Sequence, residues 1–238
     1  MNQKRKYLII DTETANTIDE PIAYNIGYAV IDNTGKVYEK ADIVINEVFF
    51  GMRDLMKSAY YYDKIQQYFI SLSTGQACAL PFLQVRRQIY NICQKYNIKT
   101  AIAFNAAFDR RALNITTRFL TKSKYRYFLP YGIEWNCIQN MAVTALCTPK
   151  YFDYAIKKGG VSDKGNVRTN AEIFYRFISG QDDFIEEHTA LADCMIEKEI
   201  FSACIAKHKK MERDIVYNAW QKPQKNFKEF YKKVLTKS

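Results

Sequence analysis

The chain has 238 residues, of which 48% are hydrophobic, so it can bury one sizeable core and is too apolar for a disordered protein. Its net charge of +10 favours a polyanionic partner, with nucleic acid first and an acidic membrane surface second, although solubility alone would also account for it. No run approaches the roughly 18 apolar residues of a membrane span, and the N-terminal residues lack the apolar stretch of a signal peptide.

Six cysteines are spread along the chain, and none forms a CxxC pair. This spacing disfavours a zinc site or a thioredoxin-like motif. We therefore expect reduced, mostly buried thiols in a soluble cytoplasmic protein that does not act at a membrane.

The first predicted element is a strand that begins in the apolar run of residues 7–10 and leads into Asp11 and Glu13. A run of this length is typical of a strand buried on both faces. Side chains two apart on a strand point to the same side, so the two carboxylates should converge. A divalent cation such as Mg²⁺ or Mn²⁺ would account for the pair, and the alternative is an acidic strand end near solvent.

The next elements in the chain predict an antiparallel meander. After a polar loop at 15–21, alternating apolar patterns predict strands at 25–32 and 36–45, joined by a turn at 33–35. The remaining predicted elements are helices at 52–72 and 81–96, a strand at 100–104, a helix at 108–120, a strand at 133–138, and helices at 140–147, 170–178 and 188–207. This order predicts an α/β domain with a mixed sheet.

Residues 207–238 form a basic C-terminal extension, which we separate from a domain at 1–206. The extension has ten lysine or arginine residues and three acids, and so contributes +7 of the net charge. Trp220, Phe227, Phe230 and Tyr231 are interleaved with these charges. The pattern fits an arm that binds nucleic acid, a segment that docks on a protein partner, or an amphipathic helix whose aromatics pack on the domain and whose lysines face solvent.

Two more acids stand where they could join the pair on the first strand. Asp109 lies at the start of the helix that follows strand 100–104, and Asp193 lies in the first turns of the last long helix. Four carboxylates from three segments suit a site for two cations that clamp the oxygens of a phosphoryl displacement. The basic charge matches a nucleic-acid phosphodiester as the substrate.

His188 is the candidate proton acceptor, because histidine titrates near neutral pH and can take a proton from an attacking water. The chain has one other histidine, His208, in the basic extension. His188 and Asp193 can share a site only if His188 lies on the loop before the helix, with Thr189 as the cap. The alternative is an ordinary surface histidine.

Three short motifs resemble a known family. They are D-T-E-T at 11–14, F-N-A-A-F-D at 104–109 and H-T-A-L-A-D at 188–193. In this order they resemble the motifs of the DnaQ-like 3′-to-5′ exonucleases, DEDDh subgroup, over residues 6–207. The resemblance implies a ribonuclease H-like fold with a five-stranded mixed sheet flanked by helices. It also implies that His188 is a general base and that four acids are metal ligands, namely Asp11, Glu13, Asp109 and Asp193.

The resemblance further implies that Thr12, Thr14, Asn105 and Phe108 contact the substrate. Asn105 could equally be a turn residue that ends a strand, and Phe108 could equally belong to the core. The chain departs from the family in two places: Phe104 stands where many members have histidine, and residues 135–137 stand where many have an Asp-Thr pair.

We therefore expect a metal-dependent 3′-to-5′ exonuclease that acts on single-stranded ends and releases nucleoside monophosphates, with DNA as the expected substrate and replication or repair as the context. Three alternatives stay open. They are a proofreading subunit that is active only with a polymerase or replisome partner, an RNA-trimming exoribonuclease, and a catalytically idle nucleic-acid-binding module.

Overall fold

The computed structural model describes residues 5–122, 124, 126–207 and 212–236. His208 and three lysines of the basic extension, Lys209, Lys210 and Lys237, lie outside the described residues.

The described residues form one six-stranded mixed sheet. Its strands are β1 (Lys6–Asn16), β2 (Pro21–Asp32), β3 (Val37–Ile45), β4 (Cys78–Leu80), β5 (Thr100–Ala103) and β6 (Glu134–Cys137). They lie in the order β4-β3-β2-β1-β5-β6. Antiparallel pairing joins β1, β2 and β3, whereas β4, β5 and β6 each run parallel to their inner neighbour. β1, which carries the paired acids, is therefore a central strand.

Helices complete the fold. They are α1 (Asn46–Phe49), α2 (Arg53–Met56), α3 (Ile65–Ser73), α4 (Phe82–Lys95), α5 (Ala106–Thr121), α6 (Ile138–Ala145), α7 (Pro149–Lys157), α8 (Ala171–Ser179), α9 (Ala190–Ala206) and α10 (Gln224–Leu235). Short 3-10 helices at Tyr62–Lys64 and Ala219–Gln221 lie between them.

The expected fold class is confirmed: the chain is α/β, with the mixed sheet flanked by helices that a ribonuclease H-like fold implies. All five predicted strands are present, but the expected number of strands is wrong. β4 is the sixth strand, and at three residues it is too short to give a pattern of alternating side chains.

Two predictions about helices were wrong or incomplete. Residues 52–72 do not form one helix, because the chain turns after α2 and the Tyr60 N–H donates to the Thr14 carbonyl of β1 (3.2 Å) instead of continuing a helical ladder. α7 was not predicted, although Pro149 stands in its first turn and Tyr151, Phe152 and Ala155 are buried at helical spacing.

The alternation of side chains along β1 divides the core between the two faces of the sheet. Leu8 and Ile10 point into a cluster that also contains Phe82 of α4. Tyr7 and Ile9 point into a second cluster, where the Tyr7 ring lies edge-on to Phe201 of α9 at 4.9 Å. Each fully buried side chain of this kind contributes roughly 1.5–3 kcal/mol. Burial on both faces therefore fixes β1 and the acids at its end.

The final helix packs on the domain through its aromatic residues. Phe227 is fully buried, and its ring centroid lies 5.4 Å from that of Phe152 in α7. Gln224 accepts a hydrogen bond from the Val167 N–H (2.9 Å) and donates to the Val167 carbonyl (3.0 Å). Phe230 and Tyr231 pack against the same cluster, whereas Trp220 is 40% exposed. The division of the chain at residue 207 stays a prediction.

Among the described residues, no helix combines the length and the apolar character needed to cross a membrane. All six cysteines are described and carry no disulfide, and four of them are buried.

Candidate active site

Asp11 and Glu13 lie on the same side of β1, as the D-x-E spacing predicts. Carboxylate oxygens of these two residues and of Asp193 in α9 all lie within 4.8 Å of one another. Glu13 is 6% exposed, and the other two are half-buried. β1 and α9 thus bring three acids to one point.

The start of α9 is fixed against β2, which places Asp193. A Cβ atom on Gly27 of β2 would lie 2.1 Å from the backbone carbon of Ala190, so only glycine allows this approach. The buried Asn25 of β2 accepts a hydrogen bond from the Ala190 N–H (3.1 Å), and its own amide donates to Asp42 (2.5 Å). Thr189 occupies the N-cap position but makes no side-chain capping bond among the described residues. The Asn25 side chain of β2 therefore caps the N-terminus of α9.

Asp109 joins the site from the first turn of α5. Its Oδ1 accepts hydrogen bonds from the backbone N–H of Thr12 (3.1 Å) and from the Thr12 hydroxyl (2.9 Å). Asp109 is 4% exposed. Thr12, which the resemblance assigns to substrate contact, therefore orients a carboxylate in this structure.

Burial raises the pKa of every acid in this cluster, and repulsion by neighbouring acids adds to the shift at Asp11, Glu13 and Asp193. Burial raises the pKa of Glu13 to about 9, with Asp193 adding to the effect. Burial also raises the pKa of Asp193 to about 8 and that of Asp109 to about 7, although bonds from Thr12 act against the shift at Asp109. The pKa of Asp11 lies well above its ordinary value for the same reasons, burial first and then the charge of Asp109.

The donor set fits a hard divalent cation. It consists of oxygen ligands alone, which Mg²⁺ and Mn²⁺ prefer. Asp193 Oδ1 is buried and has no hydrogen-bond partner among the described residues. A cation would satisfy this oxygen and favour the ionised form of the carboxylates, whose pKa values are raised without it.

Glu197 is a further acid of this cleft, and it was not predicted from the sequence. It is 3% exposed, and its Oε2 has no hydrogen-bond partner among the described residues. Burial raises the pKa of Glu197 well above its ordinary value, with Asp109 and then Asp193 adding to the shift. Its position four residues after Asp193 was the available signal, because residues at that spacing share one face of a helix.

His188 lies on the loop just before α9, as its proposed role requires, with a left-handed φ of 57°. Its imidazole stacks on the Tyr61 ring with centroids 4.1 Å apart and 12° between the planes. Burial, and then the charge of Lys64, lower the pKa of His188 below its ordinary value. Glu186 Oε2 is 3.9 Å from Nδ1, too far for a hydrogen bond. The lowered pKa favours the neutral imidazole.

These acids and His188 line one cleft of about 830 Å³. Thr14, Asn105 and Phe108 line it too, and Phe108 is half-buried at the wall and does not belong to the core. Asn105 occupies the N-cap position of α5, and its carbonyl accepts a bond from the Phe108 N–H (2.7 Å). The structure therefore brings every candidate site residue to one place.

Residues outside the three motifs form the rest of the wall. Tyr61 stacks on His188, and Tyr60, Arg168 and Trp220 also line the cleft. The two tyrosines fell within the predicted helix at 52–72, Trp220 fell within the basic C-terminal extension, and Arg168 belonged to no motif. These residues meet only in the folded chain, so no local spacing marks them.

No family model and no curated protein matches the chain. Among solved structures, E. coli Exonuclease I in complex with a 5cy-dT13 oligonucleotide is similar at 16% identity and a TM-score of 0.48, over 83% of this chain and 39% of that chain. Exonuclease I from Methylocaldum szegediense is similar at 11% identity and a TM-score of 0.49, over 87% of this chain and 41% of that chain. The chain thus spans about two fifths of the solved chains that it matches. At these values the likeness assigns neither an activity nor a residue role.

Proposed function

We propose that the protein is a divalent-cation-dependent exonuclease of the DnaQ-like DEDDh type, which hydrolyses the last phosphodiester bond at the 3′ end of a single strand. The observation that carries the proposal is the convergence of buried and half-buried acids from β1, α5 and α9 beside a histidine whose pKa is lowered. Acids so placed repel one another without a counter-charge, which supports a cation site at their centre.

The residues that would hold the cations are Asp11, Glu13, Asp109 and Asp193. Two ions are expected for four carboxylates. When bound, such cations offset the charge on a phosphate and lower the pKa of an attacking water. Thr12 and Asn25 position the ligands, because one fixes the Asp109 carboxylate and the other fixes the first residue of α9.

In the proposed reaction His188 accepts the proton of the attacking water. A neutral imidazole is the required form, and the lowered pKa supplies it at neutral pH. Nδ1 faces Glu186, which leaves Nε2 to receive the proton. The Tyr61 ring covers one face of the imidazole and so restricts its orientation.

The walls of the cleft support a single-stranded end as the substrate. Phe108 and the exposed rings of Tyr60 and Trp220 line the cleft beside the carboxylates. Aromatic side chains of this kind stack on unpaired bases with little regard to sequence. Single-stranded DNA is therefore the first substrate to test, with nucleoside monophosphates as the products and replication or repair as the context.

A digestion panel tests the proposal. The purified chain is incubated with 5′-labelled single-stranded DNA, single-stranded RNA and duplex DNA, and with a circular single strand of DNA. Each substrate is tested with Mg²⁺, Mn²⁺ or excess chelator, and Asp193→Asn is the matched inactive control. We expect a descending ladder on single-stranded DNA that depends on the cation and is absent with the variant.

The other outcomes separate the alternatives. A ladder on RNA alone would replace the DNA assignment with RNA trimming. Cleavage of a circular single strand as fast as a linear one would show an endonuclease. Tight binding without cleavage of any substrate by the purified chain would favour a partner-dependent subunit or an idle binding module.

A further inference from the structure

Two adjoining hollows lie along α5, outside the candidate active site. The larger, of about 1050 Å³, is lined by α4, α5 and residues 127–135, and the smaller, of about 320 Å³, is lined largely by α5 and residues 126–127. They share Arg110, Asn114 and Tyr127, so they form one continuous depression. Six arginines line it, namely Arg86, Arg87, Arg110, Arg111, Arg118 and Arg126. We call this surface the arginine–tyrosine groove.

The arginines of the groove are available to an anion. Among the described residues that line the two hollows, Glu134 in the larger hollow is the one acid. No ion pair between described residues involves any of the six arginines. Arg86 and Arg111 each donate through Nη2 to a backbone carbonyl, that of Tyr127 (3.1 Å) and that of Ile18 (2.9 Å). The other four arginines make no side-chain hydrogen bond to another described residue. Guanidinium groups are matched to phosphate in charge and geometry, so a phosphate backbone is the complementary ligand.

Exposed aromatic rings alternate with these charges. Tyr131 is fully exposed, Tyr127 is 63% exposed and Tyr90 is 48% exposed. Three large rings left in water beside unpaired arginines are the pattern of a surface on which successive bases stack while the backbone meets cations. A protein partner would not require this density of positive charge.

The groove is continuous with the candidate active site. The Arg111 guanidinium carbon lies 5.6 Å from the centre of the Phe108 ring, and its Nη2 donates to the Ile18 carbonyl (2.9 Å). Phe108 and Ile18 line the cleft, so Arg111 connects the two surfaces. α5 carries Asp109 into the cleft and Arg110 and Arg118 into the groove, over a helix of 16 residues or roughly 24 Å.

We propose that the arginine–tyrosine groove holds the single strand on the 5′ side of the 3′ end that enters the cleft. This inference rests on the proposed function and deepens it, because it places several nucleotides of the substrate outside the cleft. The ligand is single-stranded nucleic acid, read through its phosphates and base faces. An oligonucleotide too short to extend beyond the cleft would not engage the groove.

Binding in excess chelator tests the groove without any need for hydrolysis. Oligo(dT) of about 16 nucleotides is compared with oligo(dT) of about 4, the two ends of the usual range of site sizes for a single strand. One variant combines Arg87→Gln, Arg118→Gln and Arg126→Gln, all exposed positions, and a second is Tyr131→Ala. The matched control combines Lys40→Gln, Lys57→Gln and Lys150→Gln, which removes the same charge from exposed sites outside both hollows.

For the longer strand, three lost phosphate contacts should reduce the slope of log affinity against log salt by about 2. Tyr131→Ala should weaken binding by roughly 5- to 150-fold, the loss of one stacked base. Binding of the short strand should not change in either variant, and the lysine control should behave as wild type.

Equal affinity and equal salt slope for the arginine variant and the lysine control would overturn the inference. Weaker binding of both strand lengths would also overturn it, because the arginines would then act at the cleft. Cleavage tests the proposed function separately. If the wild-type chain binds long strands through the groove but never hydrolyses them, the exonuclease proposal is wrong and the groove proposal still holds.

Discussion

The imidazole of His188 lies parallel to the phenol ring of Tyr61, with ring centroids 4.1 Å apart. Tyr61 belongs to the irregular segment between α2 and the 3-10 helix at Tyr62–Lys64, whose neighbouring Tyr60 N–H is bound to the Thr14 carbonyl of β1. The position of the proposed base therefore depends on the strand that carries two of the proposed ligands. Tyr61 is a positioning residue, which acts through the histidine.

We predict that Tyr61→Ala lowers the cleavage rate, by less than the 10²–10⁴-fold typical of losing the base itself in His188→Ala. Loss of the ring exposes His188 to water, and because burial is the main cause of its lowered pKa, that pKa should rise toward about 6.5. The acidic limb of the pH–rate profile should move up with it. Tyr61→Phe keeps the stack and should leave the profile unchanged.

The measurement is the pH dependence of single-turnover cleavage for wild type and the two Tyr61 variants. A merely structural role would lower the rate equally at all pH values, and that result would remove Tyr61 from the site.

The positions of the motif residues could be predicted from the sequence because local rules govern them. The apolar run at residues 7–10 requires a buried strand, and the two-residue period then forces Asp11 and Glu13 to the same side. His188 has to precede the helix if it is to meet Asp193, and the structure places it there. The same logic failed at β4, whose three residues carry no period.

Other parts of the site depend on contacts that no local pattern encodes. Asn25 caps α9 across 165 residues of sequence, and Tyr61 reaches His188 from a segment whose composition suggested a helix. Trp220 reaches the cleft because Phe227, a few residues later, is anchored in the core. Tertiary packing decides each of these positions, so the sequence alone could not assign them.

The carboxylates give the second prediction. Asp11→Asn and Asp193→Asn each keep the shape of a side chain but remove a ligand charge, so cleavage should fall by at least about a thousandfold, the scale of several kcal/mol that a bound cation supplies. Excess chelator should abolish cleavage by wild type, and Mg²⁺ or Mn²⁺ should restore it. Asp153→Asn alters an acid of α7 whose side chain is 49% exposed and lies outside the cleft, and it should cleave normally. Cleavage by Asp11→Asn at the wild-type rate would remove that residue from the cation site.

The raised pKa values give the third prediction. Glu13, Asp193 and Asp109 titrate at about 9, 8 and 7 in the folded chain and near 4 when unfolded. A group whose pKa is raised on folding stabilises the fold below its unfolded pKa, and that contribution is lost as the pH rises through its folded pKa. The Tm in chelator should therefore decrease as the pH rises from about 4 to about 9.

A divalent cation should reverse this trend, because it binds the ionised carboxylates and competes with protons. The rise in Tm on adding Mg²⁺ or Mn²⁺ should be larger at pH 8 than at pH 5, and smaller in Asp193→Asn. Thermal unfolding across the pH range checks both statements. A cation shift of equal size at pH 5 and pH 8 would contradict the assignment of the raised pKa values to the cation ligands.

The contact between Gly27 and α9 gives the fourth prediction. Gly27→Ala places a methyl group against the Ala190 backbone, so α9 has to shift and carry Asp193 with it. We expect a loss of about 1–3 kcal/mol in unfolding free energy, together with a higher cation concentration for half-maximal activity. Gly75→Ala is the control, because Gly75 has a left-handed φ of 73° and an added Cβ would meet nothing within 4 Å. It should lower the stability of the fold and leave the cation requirement unchanged. An unchanged cation requirement in Gly27→Ala would mean that Asp193 does not depend on this contact.

The basic C-terminal extension gives the last prediction, and the structure decides how it is tested. Phe227 is fully buried, so Phe227→Ala should cost about 3–5 kcal/mol, and a chain cut near residue 207 would lose part of its core. Truncation therefore cannot separate binding from folding. Lys225, Lys228 and Lys232 are exposed on α10 and can be changed without touching that packing.

We predict that the combined variant Lys225→Gln, Lys228→Gln and Lys232→Gln folds normally and hydrolyses short oligonucleotides at the wild-type rate. Long strands should bind more weakly, with the salt slope reduced by about 2 for three lost phosphate contacts. Binding and thermal unfolding measured beside the lysine control at positions 40, 57 and 150 check this. If both triple variants match wild type on long strands, the lysines of α10 are a solvated face, and the arm hypothesis for the extension fails. A loss confined to binding of a polymerase would instead make α10 the docking segment for that partner.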